Sequence, residues 1–451
     1  MITWRDIDKL QPIRTENLPR HREITGADID SRRIAGGMLF IARQGEHADG
    51  HEFIGNALHN GAVAAIVEEA WFTLASPAPD WPLIVVRNSD QSLRDLAGMI
   101  RRKFNGPVLG ITGSNGKTTT KEMTATVLSS EYSVLSTPGN YNNLWGLPLS
   151  ILRAQPEHDF WILEHGMNRP GEIAELCHIS RPNAGLITTI SEVHSANFDS
   201  LEEIAAEKLS LFHQLPVDGI TFQNLDDPRI CEYSPATTHV VTYGSDPDAE
   251  IVGTITDVDN YGRIQLSCEE IGDLRLPLPG RFQATNALAA IAVGVFFAVD
   301  PKAIHQALTE FSPVPGRTNI FERHDKVIID DSYNANPTSM RAAIDILATY
   351  PTRNRRVAIL GDMLELNSTR EEKHREIGAY LSQQGVGLVL GVGELSRYIV
   401  EEIREHQSVR TLHLDDSEAC IEILDDVLQD GDVVLVKGSH GIHLERVVEA
   451  I

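Results

Sequence analysis

The chain has 451 residues, 42% apolar and 23% charged, more than one ordinary hydrophobic core organises, so two or three domains are expected. Its formal net charge of −25 argues against nucleic acid and an anionic membrane surface as partners, since both call for a basic face, while leaving room for a local basic pocket that takes a small anion. Four scattered cysteines, Cys177, Cys231, Cys268 and Cys420, fit a reducing compartment and exclude a cysteine-type zinc site.

The opening "MITWRDIDKL" is charged and lacks the apolar core of a signal peptide. The longest apolar run, 287–299, is too short to span a bilayer and reads as a buried helix. A cytoplasmic chain without membrane insertion is expected, with a monomer as the plain default. Up to residue 104, short strand-like runs ("GMLFIA", "AAIVEE", "PLIVV") alternate with polar loops and end on the basic helix "LRDLAGMIRRKF". From 105 to 313, strand and helix signals alternate ("PVLGIT", "FWILEHG", "GEIAELC", "AGLITTI", "IAAEKLSLF", "GITFQN"), which predicts a mostly parallel sheet covered by helices. Residues 251–279 alternate with period two and predict a β-hairpin insertion. After the break "FSPVPGR", residues 314–451 alternate again ("KVIIDD", "SMRAAIDILATY", "RVAILGD", "GVGLVLGVG", "DVVLVKGS") and predict a second parallel α/β unit of dinucleotide-fold type.

The loop "GITGSNGKTTTKEM" follows the strand "PVLGIT" and opens a helix. A standard phosphate loop is spelled Gly, four residues, then Gly-Lys-Ser/Thr. Counting back from Gly116-Lys117-Thr118 puts Ile111 where the leading glycine should be, with glycines at Gly110 and Gly113 instead. The backbone of Gly113, Ser114, Asn115 and Gly116 can still turn its N–H groups inward, and the helix running through Lys117, Thr118 and Thr119 adds its positive end. Lys117 suits the β- and γ-phosphates, and the Thr118 hydroxyl suits Mg²⁺. A hard cation needs oxygen ligands. Glu164, closing the strand "DFWIL", is placed to supply one, although a strand-end glutamate is as readily a solvated group. His194 follows the strand "AGLITTI", and a lone histidine is ordinarily structural. Lys208 lies on a helix and is by default solvated. The asparagines of "GNYNNLWGLP" (Asn140, Asn142, Asn143) and "DDSYNANPTSM" (Asn334, Asn336) suit a carbohydrate or amide ligand, or ordinary turns.

Together these stretches resemble the Mur ligase family, the cytoplasmic enzymes that build the peptidoglycan precursor. "DSRRIAGGMLFIARQGEHADGHEFIGNALHNGAVAAIVEE" is similar to the family's N-terminal UDP-binding domain, "GITGSNGKTTTKEM" to its phosphate loop, and "LPLPGRFQATNALAAIAVG" with "VPGRTN" to the junction with its last domain. "DDSYNANPTSM" followed by "ILGDMLEL" is most similar to the branch that joins D-alanyl-D-alanine to UDP-N-acetylmuramoyl-tripeptide. The diaminopimelate-adding branch carries Asp-Asn-Pro-Arg where this chain reads "GVGELSRY".

The resemblance implies three α/β domains: a small UDP-sugar-binding domain (1–104), a central parallel-sheet ATPase domain with the phosphate loop (105–313), and a Rossmann-like domain (314–451) that closes on ATP and binds the incoming amine. It implies ATP and two Mg²⁺ ions held through Thr118, Glu164, His194 and a Lys208 carbamylated by CO₂. Lys117 and Arg317 would face the phosphates, Asn286 the adenine and Asp331 the ribose. Lys117, Lys208, His194 and Arg317 would be catalytic. Asp30, Ser31, Arg32, Asn140, Asn143, Asn334 and Asn336 would bind substrate. The implied reaction forms an acyl phosphate on the peptide carboxylate, which the dipeptide amine then attacks. This chain departs from the branch in three places: Leu-Ser-Leu-Phe follows Lys208, His165-Gly166-Met167-Asn168 follows Glu164, and His440 follows Lys-Gly-Ser where arginine is commoner. Two alternatives stay open: a related amide ligase with another amine or carboxylate, of the diaminopimelate-adding or folylpolyglutamate type, and a phosphate-loop switch protein.

Overall fold

The β-branched runs of the sequence are buried on both faces as strands, and they gather into three sheets. The structure is a computed structural model that describes residues 1–45, 48–75, 77–192, 197–405 and 409–451. The first sheet has the order Arg14–Glu16, Leu83–Val86, Ala64–Glu68, Met38–Ile41, Gly26–Asp28, parallel except for its first pair. The helix Ser89–Arg101 leaves this sheet with Asn88 as its cap (Gln91 N–H to Asn88 Oδ1, 2.6 Å), which satisfies an amide that a helix start leaves open. Leu93, Leu96, Ala97 and Ile100 on its inner face share one apolar core with Val108, Leu147, Trp161 and Leu163 of the next region. At the helix end the buried Arg101 guanidinium donates to the carbonyls of Ser180 (2.6 Å), Arg181 (2.7 Å) and Phe104 (2.8 Å). Burial, then the nearby Arg181 charge, pushes its pKa down to about 10.

The central sheet has nine strands: Gly272–Pro279, Arg263–Cys268, Ile251–Val258, His239–Gly244, Ile220–Asn224, Ala184–Ile187, Val108–Thr112, Phe160–Glu164 and Val134–Ser136. The expected hairpin is instead a three-stranded antiparallel extension. Its first strand pairs in parallel with His239–Gly244, so it continues the sheet. Period-two alternation reports one buried face and says nothing of a third strand or of which edge it joins. The apolar helix Gln283–Phe296 lies in the largest core, as the run 287–299 implies. The third sheet runs Asn319–Arg323, Lys326–Asp331, Val433–Lys437, Arg356–Gly361, Leu388–Val392, Arg410–Leu414, parallel after its first pair. Helices Pro337–Thr349, Arg370–Leu381 and Ser396–Glu405 cover one face, and Ser417–Val427 with Glu445–Ala450 the other. This is the doubly wound arrangement expected of a dinucleotide fold. Among the described residues no helix is long and apolar enough to cross a membrane.

The carboxyl edges of the central and third sheets face each other, and ligands of open parallel sheets bind at such edges. Asn336 Nδ2 donates to Asn115 Oδ1 (2.7 Å), and an Arg317 NH2 lies 3.5 Å from Thr118 Oγ1, both across the gap between the sheets.

Candidate active site

The unusual spelling of the loop has a structural reason at each glycine. Gly113 (φ +148°) leaves the strand Val108–Thr112 so close to Thr188 that an added Cβ would sit 1.9 Å from Thr188 Oγ1. Gly116 (φ +82°) opens the helix Lys117–Leu128 in a left-handed conformation, with an added Cβ 2.4 Å from Asn286 Oδ1. Gly110 is no part of the turn. It lies mid-strand, and an added Cβ would approach Leu211 Cδ1 (3.0 Å) and His165 Cε1 (3.1 Å), so its bareness lets the helix Leu201–His213 lie down on the sheet. That helix carries Lys208.

Lys117 Nζ donates to the Gly113 carbonyl (2.6 Å), folded over its own loop. The Ser114 hydroxyl donates to the Ser191 carbonyl (2.9 Å) and accepts from Ser191 N–H (2.8 Å), fixing the far side of the loop. Thr118 Oγ1 donates to Glu164 Oε2 (3.1 Å), and Asn142 Nδ2 donates to Glu164 Oε1 (2.8 Å). Glu164 is 1% exposed, so it is no solvated strand end. Behind it, the fully buried Lys121 donates to the Thr137 carbonyl (2.5 Å) and lies 4.0 Å from Glu164 Oε2.

Lys208 is likewise not solvated: it is 1% exposed, with Nζ 3.6 Å from the Met167 thioether, a weak acceptor. Its neighbour Glu207 accepts from the N–H groups of Gly171 (2.7 Å) and Ile173 (2.8 Å) at the start of the helix Glu172–Ser180, which anchors the Lys208 helix. Burial, then the Lys117 charge, drives the Lys208 pKa well below the ordinary lysine value, against the pull of Glu207 and Glu365. Lys117 is lowered too, first by burial and then by Arg317, against Glu164 and Glu365. His165 is fully buried between the Leu163 carbonyl and the Ser180 hydroxyl, and desolvation brings it to about 4, so its imidazole is neutral.

From the third sheet comes Arg317, its guanidinium carbon 3.9 Å from the Tyr333 ring centre. Asp331 accepts from Thr318 N–H (3.0 Å) and from Lys437 Nζ (2.5 Å), its register partner on the adjacent strand. Asn286 is buried beneath Gly116, accepting from Thr120 Oγ1 (3.1 Å) and donating to Gln283 Oε1 (2.9 Å).

The asparagines divide. Asn142 faces Glu164, whereas Asn143 Oδ1 accepts from Trp145 N–H (3.1 Å) and Gly146 N–H (2.8 Å) as a turn. Asn336 caps the helix Pro337–Thr349 through Ser339 N–H (2.9 Å) while reaching Asn115. Asn334 Oδ1 accepts from Ala335 N–H (2.9 Å), and its carbonyl accepts from Lys437 Nζ (2.9 Å). Thr119 is buried within the first helical turn, and Asn140 lies exposed on the loop before Tyr141. On the first sheet's side, Asp30 caps the short 3₁₀ turn Ser31–Arg33 and pairs with the exposed Arg32 (2.8 Å), with Ser31 buried beside them. His194 lies outside the described residues.

Sequence reasoning passed over Lys121, Tyr333 and Lys437. It also missed two guanidiniums of the first domain that meet the Asn140 loop, Arg33 against Tyr141 and Arg43 over Trp145 (4.2 Å). For Lys437 a signal existed, a lysine ending the otherwise apolar strand "VVLVK"; the others emerge only from the packing.

The donor set fits a metal–triphosphate. A hydroxyl and a buried carboxylate stand side by side at the start of a glycine-opened helix, and Lys117, Lys208 and Arg317 converge in a chain whose net charge is strongly negative. Models of the Mur ligase middle domain, the Mur ligase glutamate ligase domain and the Mur ligase family catalytic domain match residues 111–294, 316–440 and 23–99. The chain belongs to the Mur ligase family. Among its relatives, the UDP-N-acetylmuramoyl-tripeptide--D-alanyl-D-alanine ligase of Escherichia coli (strain K12) is 34% identical over 447 residues, covering 95% of each chain. A crystal structure of MurF from Acinetobacter baumannii superposes with a TM-score of 0.84 at 27% identity, covering 99% of this chain and 98% of that one. MurF ligase from Thermotoga maritima in complex with ADP gives 0.77 at 29% identity, covering 95% and 97%. The Mur ligase match thus spans all three sheets.

Proposed function

We propose that this Mur ligase joins D-alanyl-D-alanine to UDP-N-acetylmuramoyl-tripeptide at the expense of ATP, in the making of the peptidoglycan precursor. The observation that carries the reading is the meeting of Lys117 and Arg317 at the Thr118–Glu164 pair, contributed by two sheets, with Lys208 close enough to feel the Lys117 charge. Residues 1–104 take the UDP-sugar, 105–313 hold ATP, and 314–451 close over it and bring the amine. Arg33 beside Tyr141 supports an anionic substrate between the first two domains, whereas Arg43 beside Trp145 is paired with Asp90 (2.9 Å). Thr118 and Glu164 would hold Mg²⁺, joined by His194 and by Lys208 as its carbamate. When bound, the two ions offset phosphate charge and polarise the transferring group.

A peptide carboxylate is a poor electrophile, and the γ-phosphoryl group activates it as an acyl phosphate. Lys117 swings from the Gly113 carbonyl onto the phosphates, and Arg317 meets them from the opposite sheet, so the charge that separates carboxylate from triphosphate is offset from both sides. The amine then displaces phosphate, and closure of the third domain keeps water from the acyl phosphate. Lys208 suits carbamate formation because burial favours its uncharged amine, the form that adds CO₂.

The test is ADP release with UDP-N-acetylmuramoyl-tripeptide and a panel of amines. Turnover with D-alanyl-D-alanine well above D-alanine, L-lysine or glutamate is expected. Equal ADP release with no amine present sinks the ligase reading in favour of an ATP-driven switch.

A further inference from the structure

We infer that Tyr333 is a positioning residue whose ring holds Arg317 aimed at the phosphate loop before nucleotide arrives; this rests on the reading that a nucleoside triphosphate occupies that loop. The Arg317 backbone is fixed on both sides. Gly316 N–H donates to Asp330 Oδ2 (3.0 Å), Tyr333 N–H donates to the Gly316 carbonyl (3.2 Å), and Thr318 N–H donates to Asp331 Oδ1 (3.0 Å). Gly316 (φ +71°) and Thr318 (φ +57°) are both left-handed, so the arginine rides a bend that the end of the strand Lys326–Asp331 clamps.

A clamped backbone still leaves an arginine side chain its rotamer freedom to lose on binding. The Tyr333 ring removes much of that freedom in advance. The guanidinium carbon stands 3.9 Å from the ring centre, with an NH2 3.5 Å from Thr118 Oγ1. The ring is itself held: it stacks on His440 (centres 5.6 Å apart, planes 20° apart), and the Asn140 amide of the central domain lies beside its hydroxyl. His440 is the residue after Lys-Gly-Ser at which this chain departs from its branch, and the stack gives it a place. A planar guanidinium can lie on the ring in this way, and an ammonium on a flexible stem cannot copy it.

The experiment measures binding of AMP-PNP and of ADP, each with Mg²⁺, by calorimetry on the full chain, so it is independent of which amide the enzyme makes. Tyr333→Phe keeps the ring and should keep the preference for AMP-PNP over ADP within about twofold. Tyr333→Leu should lower that preference about tenfold, the scale of a partly desolvated cation–π contact, while ADP affinity holds. Arg317→Lys should match Tyr333→Leu, which keeps the test open should the leucine variant fail to fold. In an Arg317→Ala background, Tyr333→Leu should change nothing further. The inference is overturned by an equal loss in that background, by equal weakening of ADP and AMP-PNP in Tyr333→Leu, or by Arg317→Lys behaving as wild type. A wild-type chain that binds neither nucleotide overturns instead the nucleotide reading beneath it.

Discussion

Gly110→Ala tests whether the displaced glycine of the loop serves the turn or the packing beneath it. The new methyl would lie 3.0 Å from Leu211 Cδ1 and 3.1 Å from His165 Cε1, each closer than ordinary van der Waals contact. His165 is held at both ring nitrogens and Leu211 is fully buried, so neither side chain can swing aside. The helix Leu201–His213 must then lift by a few tenths of an ångström. Overpacking of this kind costs about 1–3 kcal/mol, on the order of 5 °C in melting temperature for a region of this size. Lys208 lies three residues from Leu211 and moves with it, so kcat should fall by roughly tenfold, less than the hundredfold that a full ångström can cost. Thermal melting and steady-state ADP release read the two effects, with Gly36→Ala as control, since nothing lies within 4 Å of its added Cβ. A Gly110→Ala protein that melts and turns over like wild type refutes the packing account.

Asn142→Ala strips a hydrogen bond from the buried Glu164 carboxylate, worth about 1.5–3 kcal/mol, and should weaken Mn²⁺ binding in the presence of ADP at least tenfold by calorimetry. Asn143→Ala should instead lower the melting temperature through its lost turn, about 1 kcal/mol, and leave Mn²⁺ affinity unchanged. Lys208→Ala should lose most ligase activity and regain part of it with added short carboxylates, read as ADP release; undiminished activity removes the carbamate. For stability the sign runs the other way. Lys208 is depressed in the folded state, so the unfolded chain binds more protons below the unfolded lysine value, and folding pays to discharge the group. Lys208→Met in CO₂-free buffer should therefore melt above wild type at pH 7, with the gap closing as pH nears about 10.4 in a pH series of melts.

The three-domain fold was legible because strand runs such as "AAIVEE" and "VVLVK" are buried on both faces and separated by helical periods, signals that local sequence carries. The third strand of the antiparallel extension was not, because pairing partners are a property of the sheet. At the site, the strand–loop–helix context pointed to Lys117 and Thr118, whereas Glu164 read as readily as a solvated strand end until its buried contact with Thr118 settled its place. The burial of Lys208 was hidden, since one side of its helix reads as solvated until Gly110 brings it against the sheet. Asn142 and Asn143 are chemically identical and adjacent, and a turn decides which one faces the carboxylate.

The electrostatics of the site add an order to these parts. The Lys117 charge lowers the hold of Lys208 on a proton, and Arg317 lowers that of Lys117 from across the gap. Lys117 and Arg317 are like charges facing each other in a partly dry cleft and oppose closure until an anion enters, with Glu164 and Glu365 acting against them at Lys117 among the described residues. A metal–triphosphate turns that repulsion into attraction at Lys117 and Arg317 together. On this reading the nucleotide is what joins the central and third sheets firmly, and the amine, which needs the closed site to meet an acyl phosphate sheltered from water, is the partner that must come after it.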